Sequence, residues 1–253
     1  MSKFLIALMF VMLSFAANAN PYHGTPYHKP PHYNPPAAKS QCHGCVQKET
    51  ANSVKLKFSS IDKAIVSQVK INGSPFSQKN VYIGSYNLDI QGEGVFSGFC
   101  VDPYQSASSS YGFYDKSSLD PTDFNNHGTT RFANAQKLFD HAYSTLTTAA
   151  QTAGFHLALW EIFHDDLNVL TGGIKADSVS NPAMLSAASD FLGDLAGWDI
   201  TKKYSIDFFK SVCNQDFIIA KLNPPSEVPL PAALPMFLTG LAGLGFMRRR
   251  KAS

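Results

Sequence analysis

Charged residues are scarce in this chain of 253 residues: Asp, Glu, Lys and Arg make up 16% of it, against about 25% in an average globular protein. Long uncharged apolar runs are missing between the two ends of the chain, which excludes a polytopic membrane protein. Disorder throughout is also excluded, because 44% of the residues are hydrophobic and 12% are aromatic. The length suffices for one sizeable core.

A surplus of basic residues is missing from the central part of the chain. Of 21 Lys and Arg residues, five lie in the terminal segments, at Lys3 and at 248–251. The other 16 stand against 19 Asp and Glu residues, a net charge of −3, so we expect no binding to nucleic acid. The sequence also lacks a glycine-rich phosphate loop, an H-E-x-x-H motif and a G-x-S-x-G motif.

The first 19 residues have the three parts of a secretory signal peptide. Lys3 gives a positive start, residues 4–16 form an apolar run, and Ala17-Asn18-Ala19 fits the cleavage site. An apolar run of 13 residues is too short for a membrane-spanning helix, which needs about 20. We therefore expect export, with a mature chain that begins at Asn20 in an oxidising compartment.

Composition divides the remainder into three parts. Residues 20–50 are rich in proline and histidine, which predicts an extended spacer. Residues 51–222 have the apolar patterns of a folded body, and residues 223–253 hold a linker and an apolar tail.

The body begins and ends with strand patterns and has helical patterns between them. Alternating apolar residues predict strands at 53–58, 65–71, 81–90, 95–101, 204–212 and 216–222. Apolar residues at helical spacing predict helices at 132–143, 147–163 and 182–195. Gly84 predicts a bulge in its strand, and Gly154 argues against one unbroken helix. The order predicts an α+β fold, with an inserted helical segment packed on an antiparallel β-sheet or sandwich.

The tail combines an apolar run with a basic end. Residues 228–247 carry no charge and contain three prolines, and Arg248-Arg249-Arg250-Lys251 follows directly. Continuous helix is expected only from Pro235 to Met247, about 20 Å against a hydrocarbon core of about 30 Å. We predict a short hydrophobic anchor helix, with the basic residues at the cytoplasmic face.

This tail resembles a known sorting signal. Val228-Pro229-Leu230-Pro231, the glycine-rich apolar stretch and Arg248-Arg249-Arg250 together resemble the PEP-CTERM signal of exported proteins from Gram-negative bacteria that make exopolysaccharide. The resemblance implies recognition by exosortase, a membrane transpeptidase that cuts near the proline motif. Leu230 departs from the Pro-Glu-Pro of the family, so the position of the cut stays open.

The body carries a second resemblance. Gly98-Phe99-Cys100-Val101-Asp102 and Phe155-His156-Leu157-Ala158-Leu159-Trp160-Glu161-Ile162 are similar to the Cys and Gln motifs of bacterial thioester domains, over about residues 72–218. In that family a strand Cys and a helix Gln condense into an internal thioester that captures surface nucleophiles. Here His156 stands at the Gln position. Imidazole has no carboxamide carbon, and Gln151 lies off the same helix face, so we predict that no thioester forms.

The four cysteines leave two alternatives for Cys100. Four cysteines pair in three ways, and the closeness of Cys42 to Cys45 leaves Cys100 to pair with Cys213. Alternatively, His156 activates a free Cys100 as a nucleophile, with Asp102 or Glu161 orienting the imidazole. A disulfide favours a structural body, whereas a free and acidic thiol favours a secreted Cys–His hydrolase.

No metal site is assigned from the sequence. Histidines of the spacer and Cys42 and Cys45 are possible zinc or copper ligands, but they lie in an extended segment. Asp115, Asp120 and Asp123 fall in a Ser-rich stretch without the ligand spacing of an EF-hand. His156, Trp160 and His164 share one helix face, which predicts packing with polar tips at the surface.

These features together predict an exported, exosortase-sorted surface or exopolysaccharide-matrix protein. We expect a structural or adhesive role, no catalytic activity and no cofactor. The expected partners are the exosortase-type transpeptidase, the inner membrane before processing, and an exopolysaccharide or surface ligand. The first alternative is an adhesin that binds its ligand non-covalently through the degenerate thioester-type cleft around Cys100 and His156, and the second is the secreted hydrolase.

Overall fold

The computed structural model describes residues 47–117, 128–177 and 180–224, which belong to one compact unit. Strands in these residues are β1 (Ser53–Ser67), β2 (Lys70–Ile71), β3 (Val81–Ile90), β4 (Gly94–Cys100), β5 (Gly112–Ser117), β6 (Ile174–Lys175), β7 (Tyr204–Lys210) and β8 (Phe217–Leu222). The α-helices are α1 (Gly128–Ala142), α2 (Ala149–His164) and α3 (Pro182–Asp194). The predicted α+β class is confirmed.

Six of the strands form one closed antiparallel sheet. Their order is β1-β3-β4-β8-β7-β5, and β5 returns to β1, while β2 and β6 form a separate pair. The sheet is therefore closed on itself as a barrel and does not split into the two layers of a sandwich. Closure depends on β1, which pairs with β3 on one side and with β5 on the other.

β1 runs without a break through a region where two separate strands were expected. Its register with β3 shifts between Phe58 and Ser60 and again between Ile61 and Ala64, and such bulges let a long strand bend. Gly84 of β3 faces Ala64 and has a φ of +149°. A Cβ at Gly84 would lie 2.1 Å from the carbonyl oxygen of Lys63. The bulge predicted within the strand of Gly84 is wrong, because both register shifts add a residue to β1, and the second lies opposite Gly84.

The three helices are inserted between β5 and β7, which are neighbours in the sheet. α2 is buried on all sides from Thr152 to Phe163, as expected for a helix at the centre of a fold. The break predicted at Gly154 is wrong, because α2 is continuous there. Gly154 instead lets α3 come close: a Cβ would lie 2.6 Å from Cβ of Ala187 and 2.8 Å from the carbonyl oxygen of Met184.

Apolar side chains cover both faces of the sheet. Successive residues of the strands enter two different core clusters: in β8, Phe217 packs in one and Ile218 in the other, and in β7, Phe209 and Phe208 divide in the same way. α2 contributes to both clusters, for example with Leu157 and Phe155. The helix is therefore held against the sheet by apolar burial from Thr152 to Phe163.

Within the described residues, no helix has the length and apolar character that crossing a membrane requires. The signal peptide, most of the spacer, the predicted anchor helix and the sorting residues Val228 to Pro231 and Arg248 to Arg250 lie outside the described residues.

Candidate functional site

The centre of the site is the end of β4, where three side chains of α2 meet it. His156 Nε2 donates to the carbonyl oxygen of Cys100 at 2.7 Å, and Trp160 Nε1 donates to the same oxygen at 3.2 Å. His164 Nε2 donates to the carbonyl oxygen of Val101 at 2.5 Å. The stripe predicted from helical spacing is present, but its polar tips bond to buried backbone carbonyls at the end of β4 and do not point to the surface.

His156 is fully occupied by backbone groups. Its Nδ1 accepts a hydrogen bond from the backbone N–H of Gly84 at 2.9 Å, so the ring proton is on Nε2, which donates to Cys100. The ring is 0% exposed, and burial lowers the pKa of His156 to about 3. The imidazole is therefore neutral, and neither of its nitrogens is available to take a proton from a thiol.

Cys100 has a free thiol that is 0% exposed. Its Sγ donates to the carbonyl oxygen of Asp102 at 3.3 Å. Burial and, to a smaller extent, the charge of Asp102 raise the pKa of the Cys100 thiol, which makes the thiolate unfavourable. The structure thus brings Cys100 and His156 together, as the resemblance implied, but as two parts of one packed hydrogen-bonded unit.

The expected disulfide between Cys100 and Cys213 is absent, because the Cys100 thiol is free. Cys213 takes part in a disulfide, and the predicted Cys42–Cys45 pair lies outside the described residues. Cys213 lies in the turn between β7 and β8, where Gln47 Oε1 accepts from Ser211 Oγ at 2.7 Å and from the N–H of Val212 at 3.2 Å.

Gln151 has a local structural role at the start of α2. Its backbone N–H donates to Thr148 Oγ1, and its side chain accepts from the backbone N–H of Thr148, which forms a capping box. Oε1 also accepts from Thr147 Oγ1 at 2.9 Å. This carboxamide is engaged one and a half turns before His156 and does not substitute for the missing Gln.

An open pocket of about 450 Å³ lies beside the bonded pair. Its aromatic lining comes from Phe58, Phe76, Tyr82, Tyr86 and Trp160, and its polar lining comes from Asn80, Gln105, Ser106 and Gln215. Tyr86 and Trp160 connect it to the site, since each packs edge-on against the ring of His156, with centroids 5.9 Å and 4.6 Å apart. None of the described lining residues is charged.

The pocket is what the sequence reasoning missed. Its residues come from β1, from β3, from the loops around β2 and β4, from α2 and from the turn before β8, so no short motif contains them. The only available signal was the enrichment in aromatic residues, and that enrichment fits a core equally well.

The acidic stretch considered for calcium is only partly described. Asp115 belongs to β5, where its Oδ1 accepts from Thr50 Oγ1 at 2.7 Å and from Ser53 Oγ at 2.8 Å. Asp115 therefore lies in a strand rather than in the expected loop. Asp120 and Asp123 lie outside the described residues, as do the histidines of the spacer.

Comparison of the chain with protein-family models, curated proteins and solved structures gave no match.

Proposed function

We propose that this chain is an exported, exosortase-sorted protein of the cell surface or exopolysaccharide matrix, whose body binds a polysaccharide reversibly in the aromatic pocket. Its role is adhesive, and it has no catalytic activity. Export and sorting rest on the signal peptide and the tail at residues 228–253. The observation that supports binding is the open aromatic pocket beside Cys100 and His156.

The bonding of the central pair favours binding over catalysis. A nucleophilic cysteine needs an acidic, accessible thiol and a base that faces it. Cys100 is fully buried with a raised pKa, and both nitrogens of His156 are bonded to backbone groups. These contacts argue against the hydrolase alternative and support a non-covalent role.

The lining of the pocket matches an uncharged sugar chain. A pyranose ring has an apolar C–H face and an edge of hydroxyl groups, so it pairs with aromatic faces and with amides that both donate and accept. Tyr82, with 53% of its surface exposed, offers such a face, and Asn80, Gln105 and Gln215 offer the amides. Since the lining carries no charge, a neutral polysaccharide is favoured over an acidic one.

Affinity electrophoresis of the full chain in gels that contain hydroxyethyl cellulose, dextran or alginate tests this proposal. We expect retardation by a neutral polymer and not by alginate. Tyr82→Ala removes an exposed pocket wall, and we expect it to weaken binding at least tenfold. Tyr111→Ala is the matched control, since Tyr111 is an exposed tyrosine outside the lining, and it should bind like the wild type.

Two results would contradict the proposal. Equal retardation of the Tyr82 variant and the wild type would place binding outside the pocket. No retardation by any neutral polymer would leave only a structural role in the matrix.

A further inference from the structure

Three carboxylates come together where α2 ends. Glu161 lies in the last turn of the helix, and Asp165 and Asp166 begin the loop that leads to β6. One carboxylate oxygen from each residue lies within 4.8 Å of the other two. The ion pairs found among the described residues include none of these three. Their negative charges therefore have no basic partner in that part of the chain.

Glu161 also has an unsatisfied oxygen inside the protein. The residue is 0% exposed. Its Oε2 accepts from the backbone N–H of Asn168 at 3.2 Å, whereas Oε1 is buried with no hydrogen-bond partner. Leaving a buried carboxylate oxygen unpaired is costly, so this atom indicates a group that is not part of the chain.

Protonation of Glu161 would satisfy its buried Oε1 less well than a bound cation would. Burial, followed by the charges of Asp165 and Asp166, raises the pKa of Glu161 to about 9, which favours the neutral acid when no ion is bound. A protonated Oε1 would become a donor and would need an acceptor. Oε1 makes no hydrogen bond within the described residues, and a single proton on Glu161 would leave the carboxylates of Asp165 and Asp166 beside it without a cation. A cation, in contrast, takes a lone pair from each of the three carboxylates.

We propose that Glu161, Asp165 and Asp166 bind a calcium ion. All three offer oxygen, which hard cations prefer, whereas zinc and copper favour nitrogen or sulfur. Calcium takes six to eight oxygen ligands at 2.3–2.6 Å in a flexible geometry, whereas magnesium usually keeps several waters and is bound through one or two carboxylates. Three carboxylate oxygens within 4.8 Å of one another therefore favour calcium, and water completes its ligands.

The loop holds these oxygens in place before an ion binds. Asp165 accepts from the backbone N–H groups of Gly173 and Ile174, and Asp166 Oδ2 accepts from Thr171 Oγ1 at 2.8 Å. Gly172 has a φ of +76°, and a Cβ there would lie 2.3 Å from Asp165 Oδ1. Little ordering of the loop is then required on binding, which favours affinity.

The ion would also brace one side of the aromatic pocket. Trp160, which lines the pocket, immediately precedes Glu161, and Ile174 at the end of the loop pairs with Ile71, another lining residue. A bound ion therefore connects the end of α2 to the β2–β6 pair. The calcium site does not depend on the proposed polysaccharide, because its ligands are separate residues.

Isothermal titration of calcium chloride into the EDTA-treated and dialysed full chain tests this site. We expect one calcium ion to bind, more tightly than magnesium, and the melting temperature to rise in calcium. The N–H of Asn168 also donates to Asp166 Oδ1, at 3.1 Å. Asp166→Asn keeps an oxygen for that N–H but removes a charge, and we expect at least tenfold weaker calcium binding. Glu161→Gln should weaken it as strongly. Asp190→Asn, at an exposed position on α3, is the matched control and should bind like the wild type.

Far-UV circular dichroism establishes that each variant is folded before titration. If Glu161→Gln does not fold, the calcium affinity of Asp166→Asn alone decides the test. The proposal is overturned if the wild type binds no calcium at millimolar concentration, or if Asp166→Asn binds as tightly as the wild type. It is also overturned if magnesium binds more tightly than calcium. If Glu161→Gln melts at a higher temperature than the wild type and calcium has no effect on the wild type, Glu161 is a neutral acid and not a calcium ligand.

Discussion

At position 156 an imidazole of α2 bonds to two neighbouring strands of the sheet. Nδ1 accepts from Gly84 of β3, and Nε2 donates to Cys100 of β4. A glutamine side chain also offers one acceptor and one donor, which explains how histidine is accommodated at the position that the thioester resemblance assigns to Gln. The imidazole keeps the hydrogen-bonding capacity and lacks the carbon that a thiol could attack.

Acid should destabilise the protein through His156. The pKa of His156 is lowered by burial from 6.5 to about 3, so between these values the unfolded chain binds a proton that the folded chain does not. The free energy of unfolding should therefore decrease as the pH falls from about 6.5, by at most about 1.4 kcal/mol per pH unit from this residue. Urea unfolding of the full chain in EDTA at pH 7, 6 and 5 measures the slope.

His156→Gln provides the comparison, because it retains a donor and an acceptor but does not titrate. Once intact mass shows that Cys100 stays a free thiol in the variant, groups other than His156 contribute equally to both proteins, and the difference between the two slopes isolates this residue. The variant should have the shallower dependence on pH. Equal slopes would mean that His156 is not held neutral in the folded chain.

At the scale of the elements, the packing of α2 against α3 reverses what helix propensity predicts for Gly154. Glycine inside a helix costs about 1 kcal/mol relative to alanine, yet the backbone of α3 approaches Gly154 too closely for a Cβ. We expect Gly154→Ala to lower the free energy of unfolding by about 1–3 kcal/mol through overpacking. Urea unfolding measures this change.

Gly193 of α3 is the matched control for this substitution. A Cβ there would meet nothing within 4 Å, so Gly193→Ala should raise the free energy of unfolding by up to about 1 kcal/mol. Stabilisation by both substitutions would show that α2 and α3 are not in close contact at Gly154.

The strands show which elements periodicity can predict. β3 was expected at 81–90 and spans Val81–Ile90, because Ile83, Leu88 and Ile90 mark a strand even with Gly84 inside it. β5 was missed, since Gly112–Ser117 lies in a Ser- and Gly-rich stretch and only Tyr114 of the strand is fully buried. β1 was divided in two because a bulge shifts its alternation by one residue, and the sequence gives no direct sign of a bulge on that strand.

Some features of the candidate site were also predictable from the sequence, and others were not. The proximity of Cys100 and His156 was predictable because it follows from two motifs of a resembled family. Their hydrogen bonds were not, since these depend on Gly84, which is distant in sequence. The acidic cluster is visible in the sequence, because Asp165 and Asp166 follow Glu161 by four and five residues. Only the structure shows the buried, unpaired Oε1 of Glu161, which distinguishes the cluster from a solvated helix end.

For the molecule as a whole, the sorting proposal predicts two forms of the chain. In a Gram-negative host with exosortase, surface fractions should contain a chain that has lost the end of its tail, as measured by intact mass. In the same host without exosortase, the uncut tail should remain with the membrane fraction. Pro229→Ala combined with Pro231→Ala should also leave the tail uncut.

Pro224→Ala is the matched control, since Pro224 lies in the linker outside the sorting motif, and it should be processed like the wild type. An uncut tail in surface fractions of the exosortase host would contradict the proposal. Loss of the tail without exosortase would contradict it equally.

The position of β8 determines when the body can fold. β8 fills the gap between β4 and β7, and it is the last strand of the body to be synthesised. Until it emerges, β4 and β7 each expose an unpaired edge, which favours association with other chains. Folding of the body must then follow synthesis of nearly all of it, and the contacts that complete it join distant parts of the sequence, which makes folding slow. Under the proposed export, this slow closure would leave the chain time to cross the membrane before its sheet closes.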